Sequence, residues 1–257
     1  MEVGLRRVLA KLDRSGPPAY AQIEGRFAEA IAGGELKPGE RLPPERELAK
    51  RLGVSRMTLR QSLDALEREG LVARAVGRRG GTFVAEPKIE RDLTALAGLT
   101  QELRRQGHEA GARVLAAEEA EASRAAANAL RIKEGVSVFE VTRLRLSDGK
   151  PLALERSMFP ADRFPGLLEL PLDGSLYEIL ARNYDEPPRR AVERLEPVVA
   201  ERADAAALGV KRGAPLLLVE RVAYGEADAP LEWAKDVFRG DRIRAVVHTH
   251  LDAESSP

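Results

Sequence analysis

Two groups of residues have the types and spacing to hold an anion. In VSRMTLRQSLDALEREGLV, residues 54–72, Ser55, Arg56, Thr58 and Arg60 crowd into the opening turns of a segment that then becomes apolar. Arg56 and Arg60 are four apart and share a helical face. Guanidinium forks and hydroxyls so placed suit phosphates or base edges. In RLRLSDGKPLALERSMFP, residues 143–160, Arg143 and Arg145 are two apart. On a strand they share a face with Phe139 and Val141. Two cations on such a face are costly unless something anionic sits there, and arginine forks match phosphate or carboxylate. Ser175 opens a predicted helix in DGSLYEIL, where backbone N–H groups also favour an anion. Each group has a plainer reading. The first is the solvated face of an amphipathic helix; the second pairs its arginines internally with glutamates such as Glu155 or Glu196.

Other chemistry finds less support. Glu155 near Arg145 offers acid–base work, but no nucleophile–histidine pair accompanies it, so an enzyme is not expected. His248 and His250 are two apart, as strand-borne metal ligands can be. Without cysteine or a clear third ligand, neither a metal nor another cofactor is expected. Trp233 reads as core or interface.

The elements that must position these residues follow from periodicity. Tyr20, Ile23, Phe27 and Ile31 form one apolar helical stripe, ended by Gly33 and Gly34. LKPGERL is a turn. Pro44 suits the first turn of the next short helix; Leu48 and Leu52 face inward and Gly53 is its C-terminal cap. Ser55 caps the following helix, whose buried stripe is Leu59, Leu63 and Leu66 and whose end is Gly70. Two short helices across a tight turn make a helix-turn-helix, whose second helix enters the DNA major groove by its N-terminal end. GLVARAVGRRGGTFV then reads as two short strands around a basic loop, a wing that lays Arg78 and Arg79 along the DNA.

The remainder reads as α+β. Strands are expected at 112–118, 136–147, 151–158, 190–199, 215–224 and 230–238, and helices at 99–106, 121–130, 174–183 and 202–208. Asp148–Gly149 marks a hairpin turn. An internal repeat is visible: Leu130 matches Leu208, Gly135 Gly213, Arg143 Arg221, and, after one inserted residue, Pro151 Pro230. Each copy reads helix, turn, strand, hairpin, strand, and two copies pair into one antiparallel sheet with helices on a face. The second copy carries Ala223 where the first has Arg145.

Length and composition fit one large globular domain or two ordinary ones: 257 residues, 44% hydrophobic and 32% charged, with no cysteine and so no disulfide. The N-terminus is too broken by charge for a secretory signal, and no apolar run approaches a membrane span, so no membrane partner is expected and a cytoplasmic setting is. The zero net charge hides a split. Residues 1–85 hold 16 Lys and Arg against 11 Asp and Glu, a net +5; the rest hold 25 against 30, a net −5. Only the front is expected to meet a polyanion.

The block PGERLPPERELAKRLGVSRMTLRQSLDALEREGLV resembles the winged-helix domain of GntR-type bacterial transcription regulators, and the likeness runs through the wing. The resemblance implies DNA contacts by Arg46, Arg56, Arg60, Thr58 and Gly77, beside the Ser55, Arg78 and Arg79 contacts suggested above. Pro44 stands where serine is common, and the wing is one residue longer than usual. Further on, RLRLSDGKPLALERSMFP, GSLYEIL and PLEWAKDVFRGDR look like the UTRA effector domain of the HutC branch, which is related in fold to chorismate lyase. In members that bind amino-sugar phosphates, such as the N-acetylglucosamine-utilisation repressors, residues matching Thr100, Arg143, Arg145, Ser175 and Tyr177 hold the phosphate, and those matching Glu155 and Glu232 touch the sugar. Phe238 departs, standing where those sensors carry tyrosine.

The expected architecture is therefore a winged helix-turn-helix domain over 1–85 (with an N-terminal extension, 1–16), a linker over 86–98, an effector-binding and dimerisation domain over 99–250, and a disordered tail, 251–257. The expected activity is that of a homodimeric repressor on the inverted repeat of a double-stranded operator, released by a small anionic effector such as a sugar phosphate.

Overall fold

Why the front third folds is visible in its stripes. The computed structural model describes residues 2–13, 15–75, 80–94 and 97–249 and divides at Pro87–Lys88 into two compact units. In the first, helices α1 (Glu2–Val8), α2 (Ala19–Ala32), α3 (Glu45–Leu52) and α4 (Arg56–Arg68) precede strands β1 (Val72–Ala75) and β2 (Gly81–Val84). Ile23, Phe27, Leu48, Leu52, Leu59, Leu63 and Leu66 meet in one core. Pro44 sits one residue ahead of the expected first turn, as the N-cap of α3. Glu45 and Glu47 in its first turn and Lys50 and Arg51 in its last complement the helix dipole. Gly53 closes it at φ 67°, a left-handed position that glycine adopts at little cost. The turn into α4 is then fixed by Ser55, whose hydroxyl accepts from the Thr58 backbone N–H at 3.0 Å. β1 and β2 pair antiparallel, Val72 opposite Val84, and Arg41 adds a bridge to Phe83. Residues 1–16, read only as an extension, carry α1, which buries Leu5 and Val8 in the same core.

The second unit begins with β3 (Ile89–Asp92) and α5 (Leu99–Arg105), followed by β4 (Ala110–Glu121), α6 (Arg124–Leu130), β5 (Ser137–Ser147) and β6 (Lys150–Pro160). A 3-10 turn (Leu167–Glu169), α7 (Leu176–Tyr184), β7 (Arg190–Val199), α8 (Arg202–Leu208), β8 (Pro215–Tyr224), β9 (Pro230–Arg239) and β10 (Ile243–Val246) complete it. Six strands form one antiparallel sheet in the order β4-β5-β6-β9-β8-β7. That order reads the same from both edges, as the repeat requires. Glu155 opposes Asp236 and Ser157 opposes Ala234 across β6–β9, and the repeat exchanges these pairs about the central pair Arg156–Lys235. A pseudo-twofold axis therefore passes through that pair. The β5–β6 turn is Asp148–Gly149, both at positive φ, the two-residue connection expected of Asp-Gly.

One face of the sheet packs on α6, through Val138, Val222 and Trp233, and on α8, through Leu144, Leu154 and Val237. Trp233 is thus core. The other face carries two apolar clusters. Leu99 and Leu103 of α5 meet Ala153, Val219 and Phe238. Leu167, Leu172, Leu176 and Leu180 meet Val141, Phe159 and Leu231. Between them runs a band of buried charge.

Several boundaries differ from expectation. The helix expected from 121 starts at Arg124, because Ser123 is its N-cap. The one expected from 174 starts at Leu176, because Ser175 caps it. The first sheet strand is longer, Ala110–Glu121. β3, inside the segment read as a linker, pairs in parallel with β10, a strand that went unforeseen. Each is four residues long, too short to show a period. Among the described residues no helix is long and apolar enough to cross a membrane.

Candidate functional site

In the first unit the residues singled out from sequence lie on the outside of α3 and α4. Arg46 and Arg56 are exposed and form no ion pair among the described residues. Arg60 is exposed but held, its Nε donating to Glu45 at 3.2 Å. The Ser55 and Thr58 hydroxyls lie 2.9 Å apart and bond each other. Gly77, Arg78 and Arg79 fall outside the described residues. One side chain here was missed. Met57 is 71% exposed between Arg56 and Thr58, an apolar group held in water where it can meet a thymine methyl. Its signal was the absence of any place for it in the Leu59, Leu63, Leu66 stripe.

The second unit gathers all eight of its singled-out residues around one cavity. Thr100, Arg143, Arg145, Glu155, Ser175, Tyr177, Glu232 and Phe238 all line it. β5 presents both arginines inward, β6 and β9 supply the carboxylates and the Phe238 ring, and α5 and α7 close it.

Arg143 has partners on all three guanidinium nitrogens. It makes an ion pair through Nε (2.7 Å) and Nη2 with Glu155 Oε2, and its Nη1 donates to the Leu172 and Gly174 carbonyls, both at 2.8 Å. Arg145 has partners on two only. It reaches Glu155 through Nη1 at 3.3 Å and Thr100 through Nη2 at 2.6 Å, while its buried Nε has no hydrogen-bond partner. The sequence left open whether these arginines pair internally; they do, with Glu155 and not with Glu196. Burial alone would raise the Glu155 pKa, but the guanidinium charges of Arg143, Arg145 and Arg221 outweigh it and hold the group at about 2.

Across the axis stands a second cluster, of which the sequence assigned only Glu232 and Tyr177. Arg221, the repeat partner of Arg143, meets three carboxylates: Glu232 at 3.3 Å, Glu193 at 3.4 Å and Asp236 at 3.2 Å. Burial opposes its charge, yet Tyr177 and these carboxylates push its pKa well above the usual arginine value. Glu232 also accepts from Ser157 at 2.7 Å and from the Tyr177 hydroxyl at 2.9 Å. Burial raises the Tyr177 pKa well above the ordinary phenol value, so the hydroxyl stays a donor. Arg91 of β3 pairs with Glu193 at 2.6 Å and Glu102 at 3.4 Å and stacks over the Phe238 ring at 5.5 Å, its buried Nε unpartnered. Asp236 was legible in principle, since Glu232, Asp236 and Phe238 alternate on one strand. Arg91 gave no signal, lying in the supposed linker.

The cavity's free volume is about 20 Å³, room for about one water molecule. Carboxylates of the chain itself occupy the guanidinium forks. Beside it, sharing Arg91, Tyr177 and Arg221, lies a wider cleft of about 350 Å³ lined also by Thr94 and Arg190. Among the described residues no cluster of His, Asp or Glu suits a metal ion; His250 lies outside them.

Comparison with known proteins gives consistent matches. Residues 19–84 match the bacterial regulatory proteins of the gntR family and residues 105–244 match the UTRA domain. The chain is 38% identical over 229 residues to the HTH-type transcriptional repressor NagR of Bacillus subtilis, covering 89% of this chain and 93% of that one. It is 34% identical over 223 residues to the HTH-type transcriptional repressor PhnF of Mycolicibacterium smegmatis, covering 85% and 88%. The crystal structure of PhnF from Mycobacterium smegmatis superposes with a TM-score of 0.65 at 30% identity, covering 91% of this chain and all of that one.

Proposed function

The chain belongs to the gntR family of bacterial regulatory proteins, with a UTRA domain, and from that premise we propose that it is a homodimeric repressor released from operator DNA by a small anionic metabolite. One observation carries the effector reading. The eight residues implied by resemblance line a single cavity in which Arg145 keeps a buried, unpartnered N–H. A buried donor without an acceptor costs about 1–3 kcal/mol, a cost that an arriving anion removes.

In this reading α4 enters the major groove and Arg56, Arg60 and Thr58 reach bases or phosphates, with Arg46 on the backbone. Two copies read an inverted repeat. The effector, an amino-sugar phosphate or a relative of one, places its phosphate against Arg143, Arg145, Thr100, Ser175 and Tyr177. Glu155 and Glu232 then turn from the arginines to ligand hydroxyls. A cavity with room for one water must open for this. The walls that the helices supply are Gly98–Thr100 at the start of α5 and Ser175–Tyr177 at the start of α7. Arg91 also lines it, on β3, three residues after the second unit begins at Lys88. Opening the cavity therefore pulls on the strand nearest in sequence to the DNA-binding unit. The ligand shifts the population toward a conformer that no longer spans both half-sites, by no more than its difference in affinity for the two.

The alternatives keep the architecture and change the ligand. Phe238 in place of tyrosine removes a hydroxyl from the wall, which suits a carboxylate, phosphonate or fatty acid. Catalysis by a chorismate-lyase-like fold has no nucleophile–histidine pair to support it. The test is a thermal-shift screen of the protein with sugar phosphates, each beside its unphosphorylated sugar. The expected result is stabilisation by one ester, lost in Arg145→Ala, with the same ester releasing operator DNA. No shift from any ester overturns the sugar-phosphate reading and moves the search to the other three classes.

A further inference from the structure

Five carboxylates meet four guanidiniums in this site. Arg91, Arg143, Arg145 and Arg221 are held by Glu102, Glu155, Glu193, Glu232 and Asp236. With every group ionised the site is one negative charge over balance, so an entering anion adds to the excess unless a carboxylate becomes neutral. Four of the five have every oxygen near a donor or open toward solvent. Asp236 differs: it is 2% exposed, its Oδ2 meets only Arg221, and its Oδ1 has no hydrogen-bond partner. It lines the cavity and lies directly opposite Glu155 across β6–β9. Like charges facing across strands repel, and Glu155 is the one that the arginine pair keeps ionised.

We propose that Asp236 is an effector-contacting residue that carries a proton in the bound state, donating from its free Oδ1 to the ligand, so that an anion entering at Arg145 takes up a proton with it. The proposal rests on the anion site described above. The groups facing Asp236 all bear on it: Arg221 from β8, Glu155 from β6, Glu232 on its own strand, Arg91 from β3, Arg145 from β5 and Tyr177 from α7. Burial raises its pKa to about 7, Arg221 opposing and Glu155 and Glu232 adding, so the apo group is divided between its two forms near neutrality. An added anion favours the protonated one. Deprotonated, Asp236 repels the ligand; protonated, it supplies the hydrogen bond.

The probe is inorganic sulfate, a dianion that does not itself titrate near neutral pH. Its stabilisation of the full chain is measured against chloride at matched ionic strength. Binding is expected to be about tenfold tighter at about pH 6 than at about pH 8, because the apo group is divided about pH 7 and takes up on average about half a proton per anion over that range. Asp236→Asn, which keeps the shape and fixes the neutral form, should flatten that profile. Glu102→Gln should leave the slope in place, although burial also raises Glu102. A wild-type profile that is flat while sulfate still binds overturns the coupling alone. The same slope surviving in Asp236→Asn also overturns it. Sulfate that stabilises at no pH removes the anion site, and the coupling with it.

Discussion

The arginines of the two units face opposite problems. Those of α3 and α4 stand in water, where Arg60 has a single partner and Arg46 and Arg56 have none among the described residues. Arg91, Arg143, Arg145 and Arg221, around the cavity, are buried, each tied to at least one carboxylate. An exposed guanidinium keeps its hydration until DNA arrives, and releasing counterions drives its binding. A buried one lost its hydration on folding, so the chain itself must supply the anion. The first arrangement separates recognition from stability. The second fuses them, because the groups that hold the sheet face together are the groups a ligand must recruit.

That contrast can be broken most decisively at Glu155. Glu155→Gln leaves two buried guanidiniums short of a counter-charge, and urea unfolding should show a loss of about 3–5 kcal/mol. A loss below about 1 kcal/mol would mean that the pair is not organised by this carboxylate. Next in size comes Arg60→Ala. It should weaken operator binding by about 1–3 kcal/mol while changing stability by no more than about 0.5 kcal/mol. Measurable unfolding of the first unit would erase the distinction. Arg56→Ala, if it is a phosphate contact, should lower the slope of affinity against salt by about 1. Ser55→Ala tests the boundary between the two behaviours. It removes the cap of α4 and should cost about 1 kcal/mol of stability in the DNA-free protein.

The last test is a pH signature confined to the second unit. Glu155 is held at about 2, below its ordinary 4.5, so its contribution is present above about 4.5 and lost as pH falls toward 2. Asp236 has the opposite sign. Raised from 3.8 to about 7, it favours the folded state below 3.8 and loses that contribution as pH rises through 7. Unfolding followed at Trp233 should therefore show a stability maximum on the acid side of neutrality, and Asp236→Asn should blunt the fall toward neutral pH. A maximum that is unmoved in this variant would contradict the assignment.

How much of this was legible depended on length and period. Leu59, Leu63 and Leu66 announced α4, and Ser55 and Gly53 its entry, because helical spacing and caps are local. The repeat announced the sheet, since the match of Arg143 to Arg221 implies equivalent places about an axis. The eight cavity residues came through resemblance, with the alternation of Arg143 and Arg145 as independent support. What failed was non-local. β3 and β10 are stabilised by each other across the whole second unit, and neither segment carries that information alone. The carboxylate that occupies both forks was one of two candidates, and only the register of β5 on β6, Arg143 opposite Glu155, decides between them.

The pairing of β3 with β10 also sets a clock on synthesis. β3 follows the DNA-binding unit almost immediately, but its one strand partner among the described residues is among the last elements to be made. Domains fold in order as they emerge, and at about 5–20 residues per second the ribosome needs on the order of ten seconds to travel from Pro87 to Val246. For that interval each nascent chain carries a finished first unit beside a second in which β3, and Arg91 upon it, still waits for its partner strand.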